Sequence, residues 1–293
     1  MNRKTPADRL FDSINSAFFF LILCVVMYPL YFILISSVSD PEAINAGRVW
    51  LWPVDWSWSG YQAIFNDQSI WTGYKNSLLY AALGSAISTA MTICGGYALS
   101  RKDLVGRTPI MLLILFTMFF QGGLIPTYLL VKELGMLNSV WAMVVPGAIQ
   151  VFQLIIVRTF FQSTIPDELL EAAMMDGCSN LTFFFRIVLQ LSLPIVAVII
   201  LFNAVSQWNS YFKALVYLSS EHLQPLQIIL RRILVQNEMN QLMTDISSMQ
   251  EMQKRAELVK YGVIVVASLP MLLLYPFLQK YFVQGVMIGS VKG

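Results

Sequence analysis

"AFFFLILCVVMYPLYFILISSV", residues 17 to 38, contains no charged side chain. A bilayer core about 30 Å thick is crossed by roughly 20 apolar residues in a helix, so this stretch is long enough to span. It exceeds the roughly 7–15 apolar residues of a secretory signal, and no small-residue cleavage site follows it. Five more segments of similar character are expected near residues 77 to 98, 109 to 131, 140 to 161, 187 to 208 and 259 to 281. Backbone polar groups in lipid must be bonded internally, and uninterrupted apolar runs of this length suit helices, not barrel strands. The expectation is an all-α membrane protein with six transmembrane helices.

Composition agrees. Of 293 residues, 57% are hydrophobic and 12% charged, against roughly 25% charged in a soluble domain. That leaves too few ionic groups to coat a water-facing globule, and the net charge of +2 points to no polyanion such as nucleic acid. The three cysteines form no framework: Cys24 and Cys94 fall inside spans, Cys178 falls in a loop, and each reads as a small packing residue.

Lysine and arginine orient the chain, because cytoplasmic connections carry their excess. The tail holds Arg3, Lys4 and Arg9, the 2–3 connection Arg101, Lys102 and Arg107, and the C-terminal end Lys280 and Lys292. Arg158 and Arg186 flank the 4–5 connection, whereas the 1–2 loop has only Arg48 and Lys75 and the 3–4 loop only Lys132. Both termini and the 4–5 connection are therefore expected in the cytoplasm.

Prolines fall within five of the six expected spans (Pro29, Pro126, Pro146, Pro194, and Pro270 with Pro276), and the second ends on Gly95–Gly96. Kinked spans are expected; transporters use such breaks beside a cavity, though proline is also simply commoner in spanning helices. The 1–2 loop concentrates Trp50, Trp52, Trp56, Trp58 and Trp71, which reads as anchoring at the membrane boundary or as sugar stacking. In the 5–6 connection, "PLQIILRRILVQ" reads as a short amphipathic helix and "DISSMQEMQKRAELVKYG" as a second one leading into the last span.

Catalytic patterns are missing. The single histidine, His222, is isolated in the 5–6 loop, and no cysteine–histidine cluster has metal spacing. No nucleophile elbow and no phosphate-binding loop occur. The spans contain no acidic residue, as a proton relay would require. An enzyme and an ion-driven carrier are both disfavoured, and no metal or cofactor is expected in this chain.

Between the fourth and fifth spans lies "PDELLEAAMMDG", residues 166 to 177. Pro166 suits a first helical turn, Asp167 and Glu168 complement the positive helix end, and Gly177 supplies a left-handed stop. A helix from Pro166 to Asp176 is about 16 Å long, too short to cross. Leu169, Ala172, Ala173 and Asp176 share one face. The two alanines keep that face thin, with Glu171 and Asp176 as acceptors at its edge. It is either a knob for a groove in a cytoplasmic protein or a solvated interfacial helix.

At this point a resemblance enters. "EAAMMDG" resembles the EAA loop of permease subunits of binding-protein-dependent ABC importers, with Glu171, Ala172, Ala173, Asp176, Gly177, Ile187 and Leu189 in register. Gln190 stands where that family usually has proline, and Pro194 is available to take over the bend. "GGYALSRKDLVGR" is similar to the carbohydrate-importer branch, as in the maltose importer's smaller permease. "FFQGGLIPTYLLVKELGMLNSVWAMVVP" and "YPFLQKYFVQGVMIGSVKG" resemble the subgroup for oligo- and polysaccharide uptake, which includes alginate importers.

The resemblance implies an ABC type I importer permease bundle in the bacterial cytoplasmic (inner) membrane. Its partners would be a homologous second permease, two ABC ATPase subunits that bind ATP and magnesium, an extracytoplasmic solute-binding protein, the carbohydrate substrate and membrane lipid. Glu171, Ala172, Ala173, Asp176 and Gly177 would form the coupling helix on the ATPase. The implied layout is a tail, first span and tryptophan-rich loop over 1–76, a permease core over 77–283 with the EAA loop at 163–186, and a cytoplasmic tail over 284–293. A solute route is suggested by Asn203, Gln207, Trp208, Asn209 and Tyr211, with Gln150 and Gln153 from the fourth span; helix–helix hydrogen bonding would explain the same residues. The alternatives are import of a peptide or amino acid by the same architecture, and a scaffold that recruits a soluble factor.

Overall fold

The computed structural model describes residues 5–240, 259–274 and 276. Among the described residues all regular structure is helical, and the chain divides into two compact units: 1–68 with 230–269, and 69–229 with 270–293.

The first unit opens with α1, Pro6–Ser36. Thr5 and Asp8 form a reciprocal capping box: the Thr5 hydroxyl accepts from the Asp8 N–H (3.2 Å), and the Asp8 carboxylate from the Thr5 N–H (2.9 Å). α1 continues through Pro29 without a break. After α1 the chain folds back on it. Tyr28 and Tyr31 hydroxyls donate to the carbonyls of Trp50 and Leu51, and the Ser39 hydroxyl accepts from the Val54 N–H. Short helices α2, Pro41–Asn45, and α3, Ser59–Asn66, lie in this connection. Ile35, Ala43 and Val49 bury together, while Trp50, Trp52, Trp56 and Trp58 stay exposed.

The second unit is organised on α4, Gln68–Ser100. The helix does not stop at Gly95–Gly96 as the sequence suggests. A β-carbon at Gly96 would sit 2.5 Å from Cγ1 of Val157, so this glycine permits close packing and is not a stop. Beyond α4 come α5, Arg107–Phe119, and α6, Leu124–Glu133, a pair bent by 114°. The break falls at Phe120–Gly123, ahead of Pro126, because Gly123 adopts φ +85° while Pro126 sits in the tolerant first turn of α6. The expected fourth span is likewise interrupted. α7, Val140–Val144, ends before Pro146 and Gly147 (φ +72°), and α8, Val151–Thr164, follows.

Next are α9, Asp167–Met175, and α10, Asn180–Phe183; a π-helical turn, Phe184–Val188, then leads into α11, Leu189–Leu191. α12, Leu193–Trp208, leaves at 80° to the preceding segment. Gln190 continues α11 and Pro194 occupies the first turn of α12. The bend thus sits at Ser192, where proline's missing N–H costs no helical bond.

α13, Tyr211–Tyr217, follows α12, and α14, Leu226–Asn240, matches the expected amphipathic helix. The connection between them is tied to the N-terminal part of α4. Asn76 donates to the carbonyls of His222 and Gln224, Tyr80 to that of Leu223, and Ser77 accepts from the Leu226 N–H. The last described helix is α15, Val259–Leu274; within the first unit its Tyr261 ring stands edge-on to Phe32 at 6.1 Å. Residues 245–258 of the second helix expected in the 5–6 connection, and the 284–293 tail, lie outside the described residues.

By length and composition, α1 and α4 can each cross a membrane, as can each bent pair if counted as one span. The three cysteines are free: Cys24 and Cys94 are exposed, and Cys178 is half-buried.

Candidate functional site

The acidic segment folds into α9, Asp167–Met175. Pro166 is its N-cap, in extended conformation, and Asp167 and Glu168 occupy the first turn. At the other end Asp176 is the cap and Gly177 turns left-handed at φ +76°. The Gly177 N–H donates to the Met174 carbonyl at 3.0 Å and the Cys178 N–H to the Ala173 carbonyl at 2.9 Å. These two bonds make a Schellman motif. Asp176 therefore caps α9 instead of extending it.

One side of α9 is anchored in the second unit. Ala173 is buried in a cluster with Val157 and Phe161 of α8, Phe183 of α10, and Ile195 and Ile199 of α12; Leu169, Leu170 and Cys178 pack around it. The face predicted to be free is thus divided: Leu169 and Ala173 turn inward, whereas Glu171, Ala172, Asp176 and Gly177 are exposed. Met174 and Met175 join the exposed set, Met175 at 91%. The sequence reading passed over these methionines, although an apolar pair on an acidic helix is itself a signal, since methionine is suited to adaptable contacts.

The 2–3 connection borders α9. Lys102 forms an ion pair with Asp167 at 2.5 Å, and the carboxylate raises the lysine's pKa. Both groups are exposed, so the pair adds little stability. Arg101 is paired with Asp103 at 2.6 Å, which raises its pKa further, and the Arg158 guanidinium donates to the Leu99 carbonyl at 3.1 Å. Together with Tyr97, Arg107 and Glu168, Arg101 and Lys102 help line a cavity of about 360 Å³ beside the start of α9.

The polar residues proposed for a solute route separate into two sets. Asn203, Gln207, Trp208 and Gln153 are buried. Asn203 donates to the Thr89 hydroxyl at 3.3 Å, and a β-carbon at Gly84 would lie 2.5 Å from Nε2 of Gln207. Trp208 meets Tyr74 edge-on at 5.8 Å. These contacts make a seam between α4 and α12. The amide oxygens of Gln153 and Gln207 meet no donor among the described residues. Gln150, Asn209 and Tyr211 are exposed instead. Gln150 is the N-cap residue of α8, and Asn209 donates back to the Val205 carbonyl at 2.9 Å. Among the described residues no group of acidic, histidine or cysteine side chains is arranged to hold a metal ion.

The chain is an all-helical membrane protein with several apolar spans, and the class its structure matches is that of ABC importer permeases. No family model matches the chain. It is 41% identical over 287 residues to the polygalacturonan/rhamnogalacturonan transport system permease protein YtcP of Bacillus subtilis (strain 168), covering 98% of this chain and 99% of that one. It is 37% identical to Protein LplC of the same organism, over 99% of this chain and 97% of the relative. A crystal structure of a bacterial ABC transporter involved in the import of the acidic polysaccharide alginate superposes with a TM-score of 0.86 at 32% identity, over 96% of this chain and all of that one. The chain belongs to the carbohydrate ABC transporter permease family. It is a non-catalytic permease subunit; the ATPase is separate.

Proposed function

We propose that this permease carries an oligosaccharide, delivered by an extracytoplasmic solute-binding protein, across the bacterial inner membrane into the cytoplasm by alternating access. It pairs with a homologous second permease and rests on two ABC ATPase subunits, which bind the ATP and magnesium. Six crossings follow if α1, α4, α5–α6, α7–α8, α10–α12 and α15 each count as one, and both termini then face the cytoplasm. Residues 1–76 carry the first span and the outer tryptophan-rich loop, 77–283 the permease core with the EAA loop at 163–186, and 284–293 the cytoplasmic tail. An alginate-derived or related uronate oligomer is the particular solute.

The observation that carries this reading is the two-sidedness of α9. Its inner side shares a buried cluster with α12, and its outer side offers Glu171, Ala172, Met175 and Asp176. A short helix closed at its C-terminal end by the Schellman bonds and packed through Ala173 moves as a unit, so a push from an ATPase on the outer side reaches α12 through Ala173 and its neighbours. Glu171, Ala172, Ala173, Asp176 and Gly177 are the coupling residues in this scheme. Asn203, Gln207, Trp208 and Gln153 hold the helices that move, and Gln150, Asn209 and Tyr211 are available to the solute.

The test is purification of the complete complex followed by measurement of its ATPase rate with loaded binding protein. Oligosaccharide-loaded protein should raise the rate several-fold. A response to peptide- or amino-acid-loaded protein alone would overturn the substrate class. Purification of the chain with neither a second permease nor ATP hydrolysis would replace the importer with a scaffold.

A further inference from the structure

Lys213 stands at the break between α7 and α8. α13, which carries it, is fixed against α7: Ala214 and Leu218 share a buried cluster with Met143 and Val144, and Tyr217 one with Ala142. From that base the Lys213 ammonium reaches the carbonyl of Pro146 at 2.8 Å. This carbonyl follows the end of α7, where a helix leaves its last acceptors unsatisfied. A lysine ordinarily extends its head into water; here it is half-buried and directed at a broken helix.

The ammonium has three donors, and among the described residues no carboxylate forms an ion pair with it. Burial pushes its pKa down. One flank is bare backbone: a β-carbon placed on Gly147 would lie 3.9 Å from Nζ, and Gly147 itself is exposed. Gln150, Asn209 and Tyr211, the exposed members of the suggested route, lie within four residues of Gly147 or of Lys213 along the chain. The ammonium's two placed neighbours are thus the Pro146 carbonyl and the open side of Gly147.

We propose that Lys213 is the charge-selecting residue of the solute route and receives the carboxylate of a uronic acid unit. The transported class is then acidic oligosaccharides, and the assignment rests on the import reading above. A carboxylate brings a full opposite charge to an ammonium that has no ion-pair partner among the described residues, whereas an alcohol brings only a dipole, and the difference grows as the ammonium is withdrawn from water. Two of the similar proteins serve polymers of this chemistry, polygalacturonan and alginate.

The complete complex, reconstituted in vesicles with its binding protein, is offered an oligogalacturonide and the same oligomer with its carboxyl groups reduced to alcohols. Each is supplied at a concentration that saturates the binding protein. The native complex should favour the acidic oligomer by about tenfold or more. Lys213→Met should abolish that preference while ATPase stimulation by loaded binding protein persists, and Lys213→Arg should restore most of it. An equal fall for both oligomers in Lys213→Met would reduce Lys213 to a peg for the Pro146 carbonyl and overturn the proposal. So would an unchanged preference in that variant. A native complex that imports neither oligomer would instead sink the import reading, and the Lys213 assignment with it.

Discussion

α1 and α4 are both unbroken helices of more than thirty residues, and they treat burial in opposite ways. In the most apolar eighteen residues of α1 only 6% are buried; in those of α4 the share is 44%. The buried side of α4 is mostly small or polar, including Gly84, Ser85, Ser88, Thr89, Thr92 and Gly96. Leu78, Leu79, Leu83 and Met91 on the same helix are exposed. Burial here follows small size and hydrogen-bonding capacity, not hydropathy. Lipid tails are as apolar as leucine, so helices associate through close backbone approach and polar contacts.

The contrast is easiest to break at Gly96, where the expected effect is largest. Gly96→Leu forces a side chain into Val157 and the backbone N–H of Arg158. Overpacking of this kind costs about 1–3 kcal/mol or more, and should lower the thermal unfolding midpoint in detergent and the yield of assembled complex. An unchanged midpoint would mean that α4 and α8 do not meet there. At Gly177 the reason is different: a β-carbon there would meet nothing within 4 Å, but φ is +76°. Gly177→Val should cost at least about 1–2 kcal/mol locally and weaken ATPase co-purification about tenfold, while Gly177→Asn, which tolerates that conformation, should keep most of it. Equal behaviour of the two variants would show that backbone geometry is not what matters.

A finer test concerns the polar seam. Thr89→Val removes the acceptor of Asn203; intramembrane hydrogen bonds average about 0.6 kcal/mol, so a double-mutant cycle with Asn203→Leu should return a coupling of that order. Zero coupling would leave shape alone to hold α4 against α12. The smallest effect is expected at Leu23, 54% exposed on α1. Leu23→Ala should leave the stability of the isolated chain unchanged. Should it reduce assembly with the second permease, that side of α1 faces protein and the contrast with α4 is narrower than it looks in a single subunit.

These particulars also explain what could be read from the chain beforehand. α1 was legible because a charge-free run of this length has few alternatives to spanning. α9 was legible because both its ends are marked, by Pro166 with two acids and by Gly177. Its division into an inner and an outer side was not, since Ala172 and Ala173 are identical in type and only tertiary packing separates them. The breaks at Gly123 and at Pro146–Gly147 were half visible: the prolines drew notice, but the φ of a glycine has no trace in composition. Gly95–Gly96 misled for the same reason, as a glycine that ends a helix and one that lets a neighbour approach are spelled alike. Asn203 and Gln207 were found as polar residues in apolar surroundings, and whether such groups face a route or another helix is decided by what lies opposite them.

Cys178 has a practical consequence. Its N–H closes the Schellman motif of α9, whereas Cys24 and Cys94 sit on the two longest apolar helices. Thiol alkylation proceeds through the thiolate, a form that lipid disfavours, so a water-soluble maleimide should discriminate among the three. Selective reaction at Cys178 would place a fluorophore or spin label one residue past the left-handed turn, where movement of α9 during turnover could be followed without engineering a cysteine-free background.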